Sequence, residues 1–336
     1  MKIAIVGAGA IGGFLGARLA LAGEEVTCIA RGPNLAAIQA NGLKLIEEDG
    51  TERHAANVRG AQKMSEAGTQ DVVLLTLKAH QVKDVLPDMR GLFGPYTLVV
   101  TMQNGIPWWY FHKLAGPWEG RPVSTVDPDG TVAANIEIER VIGSVVYPAS
   151  ELVAPGVIKV IEGNRFTLGE LDGSKSPRIE ALAQALIGAG FKAPVSTDIR
   201  SEIWLKLWGN LSFNPISALT HATLVDICQF PLTRELAASM MREAQTIAEK
   251  LGVKFKVSLE KRIAGAEAVG KHKTSMLQDV ETGRPLELEA LVGSVRELGR
   301  LTETPTPCID AVYACASLLG KTLADQNGRL ATSPRN

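Results

Sequence analysis

The chain opens with Met1-Lys-Ile-Ala-Ile-Val-Gly-Ala-Gly-Ala-Ile-Gly12, a short apolar strand that runs directly into the pattern Gly7-x-Gly9-x-x-Gly12. Apolar residues at helical spacing follow, and this strand–turn–helix context is typical of a dinucleotide-binding loop. The first glycine permits a sharp turn, the second lets the backbone approach a pyrophosphate, and the third lets the helix pack closely on its strand. The free N–H groups of the helix N-terminus would then face the phosphates. The cofactor-binding residues predicted here are Gly7, Ala8, Gly9, Ala10, Ile11 and Gly12.

The second predicted strand, Glu25–Ala30, ends at Arg31. In this type of fold an acidic residue at that tip binds the ribose 2′-hydroxyl of NAD. Here a guanidinium takes its place, and it can pair with a 2′-phosphate and stack on the adenine. The sequence therefore favours NADP(H) over NAD(H), with an ordinary solvated surface arginine as the alternative.

Bulk properties exclude several classes of protein. The 336 residues suggest about two domains, and 46% hydrophobic residues suffice for real cores. The 35 basic and 36 acidic residues nearly cancel, which argues against nucleic acid or an anionic membrane as a partner. No uncharged run approaches the length of about 18 residues that a transmembrane helix requires. The first strand begins at the second residue and leaves no room for a signal peptide, so we expect a cytoplasmic protein.

Cysteine and histidine usage points the same way. The four cysteines are scattered, without a C-x-x-C pair, and we expect reduced thiols as in a cytosolic protein. The five histidines are isolated from one another, which argues against a metal site.

The chain divides into two halves of different character. Residues 1–197 alternate strand-like and helix-like segments, which predicts an α/β Rossmann-like domain with a mostly parallel sheet. A hairpin is predicted around Gly163-Asn164, between Gly156–Glu162 and Arg165–Gly169, and Ser124–Ala134 is predicted to be a loop insertion. Residues 198–330 show helical periodicity throughout and predict an all-α domain. The polar tail 331–336 is expected to be frayed.

Polar residues follow two of the predicted strands. Lys78 ends the apolar run that starts at Val73, and Asn104-Gly105 ends the run that starts at Leu98. Ligands of doubly wound sheets bind beyond the carboxyl ends of the strands, so both positions are candidates for cofactor contact. Each also has a simpler interpretation, because a lysine can mark the exit of a strand into water and Asn-Gly is a common turn.

The predicted helix that follows Asp198 carries a polar stripe on an otherwise apolar, aromatic sequence. Lys206, Asn210 and Asn214 lie at i, i+4 and i+8 and so share one face. A lysine in apolar surroundings must be paired or must lower its pKa, which makes Lys206 a candidate proton donor near neutral pH. The alternative is a lysine that extends to solvent beside two capping asparagines. Pro215 suggests a kink or the end of the helix.

A family resemblance rests on an ordered set of motifs that covers nearly the whole chain. The set comprises Gly7-x-Gly9-x-x-Gly12, Thr-Leu-Lys78-Ala-x-Gln81, Gln-Asn104-Gly105, Trp-x-Lys206-x-x-x-Asn210-x-x-x-Asn214-Pro215, Ser275-Met-Leu-Gln-Asp and Glu287. It resembles the ketopantoate reductase (2-dehydropantoate 2-reductase) family. The resemblance implies a Rossmann domain joined to a helical domain, with the active site in the interdomain cleft. It also implies NADPH-dependent reduction of ketopantoate to pantoate, in pantothenate and coenzyme A biosynthesis.

The resemblance also implies roles for single residues. Lys206 corresponds to the proton donor, and Asn210, Asn214 and Ser275 correspond to residues that hold the carboxylate and hydroxyl of the substrate. Lys78 and Asn104 correspond to residues beside the nicotinamide and ribose, where Asn104 also reaches the substrate. Three further positions correspond to cofactor contacts: Arg31 at the 2′-phosphate, Ala149 in a nearby loop and Glu287, an acid that closes over cofactor and substrate. From the residues alone, Ser275 is a candidate helix cap and Glu287 a first-turn helix acid.

Two departures concern the identity of the substrate. Some family members carry another asparagine beyond the position of Asn214, where this chain reads Ala222-Thr223-Leu224, and the 124–134 insertion lies near the expected cleft. The alternatives are therefore a related NAD(P)-dependent reductase of another branched or aromatic 2-oxo acid, and a non-catalytic NADP-binding sensor. A homodimer is compatible with the sequence, and the expected partner is a small 2-oxo acid.

Overall fold

The computed structural model describes residues 1–328, and these form two compact units. The first unit comprises Met1–Pro122 and Asp127–Glu202, and the second comprises Val123–Val126 and the chain from Ile203 onward. The sequence places the boundary at residue 198, whereas the division falls a few residues later, inside a helix. The predicted polar tail 331–336 lies outside the described residues.

The first unit contains two sheets and short helices. Its strands are β1 (Lys2–Val6), β2 (Glu25–Ile29), β3 (Leu43–Ile46), β4 (Glu52–Ala55), β5 (Arg59–Ala61), β6 (Gln70–Leu75), β7 (Phe93–Thr101), β8 (Val141–Val146), β9 (Ala149–Ala154), β10 (Val157–Glu162) and β11 (Phe166–Gly169). Its helices are α1 (Ala10–Leu21), α2 (Gly32–Asn41), α3 (Leu86–Met89), α4 (Thr131–Asn135) and α5 (Pro177–Gly188).

The larger sheet has the order β11-β8-β7-β6-β1-β2-β5. Every neighbouring pair is parallel except β8 and β11. From β1 the chain first adds β2 and β5 on one side of the sheet, and then adds β6, β7 and β8 on the other side. The direction of strand addition therefore reverses between β1 and β6. Such a reversal opens a crevice at the carboxyl ends of the strands, where ligands of this architecture bind. The predicted Rossmann-like α/β class is confirmed.

The smaller sheet corrects one prediction. Its order is β4-β3-β10-β9, so β10 pairs with β3 and β9, whereas β11 joins the large sheet beside β8. The predicted hairpin between β10 and β11 is therefore wrong. Each strand has a better apolar partner elsewhere: Ile158 packs against Gly13 of α1, and Phe166 packs edge-on against Phe191. The short link at Gly163-Asn164 carries the chain from one sheet to the other.

The crossover at 123–126 corrects a second prediction. The stretch 124–134 is not a simple loop insertion, because residues 123–126 belong to the second unit and α4 starts at Thr131. The backbone N–H groups of Ser124 and Thr125 donate to the carboxylate of Glu297 over 2.9 and 2.7 Å. This carboxylate fixes the crossover segment within the second unit.

The described part of the second unit is helical, as predicted. Its helices are α6 (Ile199–Thr220, which begins in the first unit), α7 (Leu224–Gln229), α8 (Pro231–Lys250), α9 (Leu259–Ala268), α10 (Ser275–Glu281), a π-helical turn (Glu289–Gly293), α11 (Ser294–Leu301) and α12 (Pro307–Asp325). None of the helices in residues 1–328 combines the length and apolar character needed to cross a membrane.

Helix α6 is bonded to α8 through its buried aromatic residues. Trp204 and Trp208 are fully buried, and the indole N–H of Trp208 donates to the carbonyl of Met241 on α8 over 2.6 Å. The helix does not end at Pro215 but continues to Thr220. Burial of Ile216 and Ala218 beyond the proline keeps the last turns helical, although proline removes one backbone hydrogen bond.

Candidate active site

The glycine loop has the geometry that its pattern predicts. Gly7 adopts φ +105°, a conformation that favours glycine. A Cβ on Gly12 would lie 2.2 Å from the carbonyl oxygen of Gly7 and 2.5 Å from Oγ1 of Thr76. A side chain at residue 12 would therefore force α1 away from the sheet, so this glycine is required by packing.

Gly9 differs from the other two glycines. Its φ is −77°, and a Cβ built on it meets no protein atom within 4 Å. It forms the N-cap of α1, a position that no side chain caps, and the first turn carries no acidic residue. Open space in front of an uncapped helix N-terminus is what a pyrophosphate requires, since the N–H groups and the helix dipole attract anions. The residues present thus fit the phosphates of a dinucleotide.

Arg31 is the residue predicted to recognise a 2′-phosphate, and that role stays a prediction. It follows β2, is exposed, and forms the N-cap of α2. Three residues later, Asn34 donates from Nδ2 to the carbonyl of Ala8 over 2.7 Å and accepts from the N–H of Gly156 over 2.8 Å. The start of α2 is therefore bonded directly to the glycine loop.

The ends of β6 and β7 complete this edge of the sheet. Thr76 donates from its hydroxyl to the carbonyl of Gly7 over 2.7 Å, which fixes the glycine loop from below. The side-chain amide of Gln103 donates to the carbonyls of Leu75 and Leu77, over 2.8 and 3.0 Å, and joins the ends of the two strands. Lys78 and Asn104, both half-buried, follow directly and so lie at the carboxyl edge beside the glycine loop.

Ala149 belongs to the smaller sheet but follows closely after a strand of the larger sheet. It is the first residue of β9, three residues after β8 ends. Because β8 is parallel to β7, its carboxyl end faces the same side as those of β6 and β7. The structure places Ala149 near that edge, and its contact with a cofactor stays a prediction.

The second unit carries the predicted polar stripe. Lys206, Asn210 and Asn214 all lie on α6; the first two are half-buried and Asn214 is buried. Burial lowers the pKa of Lys206 to about 8, while the negative charge of Glu287 opposes this shift. A lysine with a pKa near neutrality can give up a proton during a reaction and regain it from solvent.

Asn214 and Ser275 are brought together. Nδ2 of Asn214 lies 3.3 Å from Oγ of Ser275, which connects α6 to the start of α10. Ser275 is not the helix cap: that position belongs to Thr274, whose Oγ1 accepts from the N–H of Leu277. The exposed Ser275 hydroxyl is thereby available to a ligand as well as to Asn214.

Glu287 precedes an irregular helical segment. The π-helical turn Glu289–Gly293 begins two residues later, and such turns are frequent at functional sites. The second unit thus assembles an acid, a lysine of lowered pKa and a set of neutral hydrogen-bonding groups. Within residues 1–328, no cluster of His, Cys, Asp or Glu side chains could hold a metal ion.

Two residues with a clear role at the loop were not found from the sequence. Thr76 directly precedes the Leu-Lys78 motif, and Asn34 lies in the first turn of α2. Their only sequence signal is a short polar residue next to a predicted phosphate-binding element, and this signal is common to most turns.

Two family profiles match the chain. The profile described as ketopantoate reductase PanE/ApbA matches residues 3–116, and that described as the C-terminal part of ketopantoate reductase PanE/ApbA matches residues 198–319.

Relatives and solved structures agree with these profiles. The chain is 58% identical to a 2-dehydropantoate 2-reductase of Mesorhizobium japonicum over 94% of its own length and 96% of the relative. A solved protein of Ralstonia solanacearum MolK2, provisionally named a ketopantoate reductase, superposes with a TM-score of 0.91 at 43% identity, covering 96% and 98% of the two chains. For 2-dehydropantoate 2-reductase of Geobacter metallireducens GS-15 the TM-score is 0.83 at 28% identity, with 95% and 99% covered.

Proposed function

Because the chain belongs to the ketopantoate reductase family, we propose that it reduces 2-dehydropantoate to pantoate with NADPH, as a step of pantothenate and coenzyme A biosynthesis. The observation that carries this proposal is Lys206, whose pKa burial lowers to about 8 on a helix face shared with Asn210 and Asn214. A lone NADP-binding protein has no need for such a stripe.

The residues of the first unit would hold the cofactor. The loop from Gly7 to Gly12 takes the pyrophosphate, and Arg31 takes the 2′-phosphate. Lys78, Asn104 and Ala149 lie at the strand ends, where the ribose and nicotinamide are expected. When bound, NADPH supplies the hydride that reduces the 2-keto carbon.

The residues of the second unit would handle the proton and the substrate. Nζ of Lys206 donates a proton to the carbonyl oxygen as that oxygen becomes an alkoxide, so that hydride and proton together convert C=O to CH–OH. Asn210, Asn214 and Ser275 provide neutral donors and acceptors for the carboxylate and hydroxyl groups. The charge of Glu287 keeps Lys206 protonated to a higher pH than burial alone would permit.

The test is the rate of NADPH oxidation with ketopantoate and with a panel of other branched and aromatic 2-oxo acids. We expect the highest kcat/KM with ketopantoate and a preference for NADPH over NADH. Faster turnover of another acid would keep the mechanism but contradict the substrate. Tight NADPH binding without turnover on any acid would contradict the enzymatic role.

The assembly is a separate part of the proposal. Phe230 and Leu232, at the junction of α7 and α8, are 56% and 75% exposed. Two exposed large apolar side chains, two residues apart in sequence, support an interface, and we propose a homodimer. Light scattering after size exclusion should give twice the 35.8 kDa chain mass; a single-chain mass would contradict the dimer.

A cytoplasmic location is proposed from the cysteines. All four are free, and two of them, Cys28 and Cys228, are buried. Burial raises the pKa of the Cys28 thiol to about 12, so it behaves as an inert core residue. Fractionation of cells should recover the protein with cytoplasmic markers, and recovery with extracellular or membrane fractions would contradict this location.

A further inference from the structure

Asn34 joins three elements of the first unit through one side chain. Its Nδ2 donates to the carbonyl of Ala8 in the glycine loop, and its Oδ1 accepts from the N–H of Gly156 between β9 and β10. Asn34 itself lies in the first turn of α2, whose N-cap is Arg31. An amide side chain can donate to a carbonyl through its nitrogen and accept from an N–H through its oxygen at the same time.

Two of these three elements, the glycine loop and the start of α2, are expected to bind the pyrophosphate and the 2′-phosphate of the cofactor. The glycine loop faces the pyrophosphate, and Arg31 faces the 2′-phosphate. Arg31 is the N-cap residue of α2, but its side chain makes no capping hydrogen bond, and the adjacent Gly32 has φ +56°. The N–H groups of Gly7 and Ala8 donate to the carbonyl of Ile29, over 3.3 and 3.4 Å, and hold the loop to the end of β2. The bond from Asn34 to Ala8 is a further link, on the other side of Arg31, that holds the start of α2 to the loop.

We propose that Asn34 is a positioning residue that fixes the distance between the pyrophosphate-binding loop and Arg31, and thereby sets the preference for NADPH over NADH. The inference rests on the proposed use of NADPH. NADPH must satisfy both sites at once, whereas NADH engages the pyrophosphate site without the 2′-phosphate. Removing the hydrogen bond between the two sites should therefore lower the affinity for NADPH more than the affinity for NADH.

The experiment measures direct binding of NADPH and NADH by calorimetry, together with thermal unfolding. Asn34→Ala removes both hydrogen bonds, and loss of the one to Ala8, which links the two phosphate sites, should raise the Kd for NADPH about five- to tenfold. The Kd for NADH should rise less, so the ratio of the two affinities falls. With saturating NADPH, kcat should stay unchanged, because Asn34 does not touch the reacting atoms.

Asn34→Asp separates the two hydrogen bonds. Aspartate still accepts from Gly156 but cannot donate to Ala8, and it adds negative charge near the 2′-phosphate. NADPH affinity should fall at least as much as in Asn34→Ala. Wild-type affinity in Asn34→Asp would overturn the inference, and this variant retains one of the structural bonds if Asn34→Ala fails to fold.

Asn57 provides a matched control. Its Nδ2 donates to the carbonyl of Ala20 over 3.0 Å, at the far end of α1. Asn57→Ala therefore removes a similar bond and should leave both Kd values unchanged. If Asn34→Ala and Asn57→Ala change Tm alike and neither changes the ratio of affinities, the role of Asn34 is purely structural and the inference is wrong.

Combining Asn34→Ala with Arg31→Ala completes the test. Without the guanidinium, Asn34→Ala should lower the affinities for NADPH and NADH equally. The effects of the two substitutions on the free energy of NADPH binding are therefore not additive. Full additivity would overturn the inference while leaving the proposed function intact. A wild-type protein that binds NADPH no better than NADH would overturn both.

Discussion

Replacing single glycines of the phosphate loop by alanine should separate packing from cofactor binding. At Gly9 a Cβ meets no protein atom within 4 Å and φ is −77°, so alanine is sterically allowed. It should leave the fold unchanged or stabilise it by about 0.4–1 kcal/mol through the unfolded state. The added methyl group, however, occupies the space through which the backbone approaches a pyrophosphate. Gly9→Ala should therefore weaken NADPH binding at least about tenfold, which corresponds to about 1.4 kcal/mol.

Gly12→Ala should also weaken NADPH binding, but through a packing defect and not through a direct clash with the cofactor. The new Cβ would lie 2.2 Å from a backbone oxygen, 2.5 Å from Oγ1 of Thr76 and 2.9 Å from Cγ2 of Ile5. Relief requires a shift of α1, and overpacking of this kind costs about 1–3 kcal/mol or more. For a chain of this size we expect a fall in Tm of several degrees, at about 2–4 °C per kcal/mol. NADPH affinity should fall as a consequence of the displaced helix.

Calorimetry of NADPH binding and thermal unfolding of both variants provide the test. Wild-type NADPH affinity in Gly9→Ala would show that the space in front of Gly9 is not used by the cofactor. An unchanged Tm in Gly12→Ala would show that Gly12 is not required by packing. A loss of Tm in Gly9→Ala equal to that in Gly12→Ala would also contradict the distinction, since the two glycines would then serve the same purpose.

Three further predictions concern the second unit. Lys206→Met should cut turnover about 10²–10⁴-fold. It should also stabilise the fold near pH 7 by up to about 3 kcal/mol, because a pKa lowered from 10.5 to about 8 disfavours the charged lysine in the folded state. Between pH 8 and 10.5 the unfolded chain binds more protons than the folded chain, so the stability of the wild-type protein rises through that range. The higher Tm of Lys206→Met should therefore disappear as the pH rises. A difference in Tm that stays constant with pH would contradict the lowered pKa of Lys206 as its cause. Glu287→Gln removes the charge that raises the pKa of Lys206, so the alkaline fall in kcat should move to lower pH, whereas Glu289→Gln should not move it. Asn214→Ala should raise KM for the 2-oxo acid severalfold without changing the Kd for NADPH, about the effect of one lost hydrogen bond; Ser212→Ala, a buried neighbour on the same helix, should leave both constants unchanged, and equal losses in the two variants would contradict the substrate role.

Much of the fold follows from local pattern. The opening strand, the glycine loop and the helix after it obey rules of short range, so the first βαβ unit and the mostly parallel sheet could be predicted. The lowered pKa of Lys206 could also be predicted, because apolar and aromatic neighbours at helical spacing imply burial.

Other features depend on contacts between segments distant in sequence. The turn Gly163-Asn164 fits a hairpin equally well as a switch between sheets, and only the packing of Ile158 and Phe166 decides between them. Thr274 and Ser275 are equally good caps by type, and the register of α10 selects the first. Asn34 resembles any polar residue in a turn until its bond to Ala8 is seen.

The proposed reaction transfers a hydride from NADPH to the 2-keto carbon, and the protein supplies the proton. The most direct measurement is incubation of the enzyme with ketopantoate and NADPH that carries deuterium at the transferable C4 position, followed by mass spectrometry and NMR of the product. We expect pantoate with deuterium at C2 from the wild-type protein and greatly reduced formation of pantoate with Lys206→Ala. Absence of pantoate, pantoate without deuterium, or a wild-type rate in Lys206→Ala would contradict it.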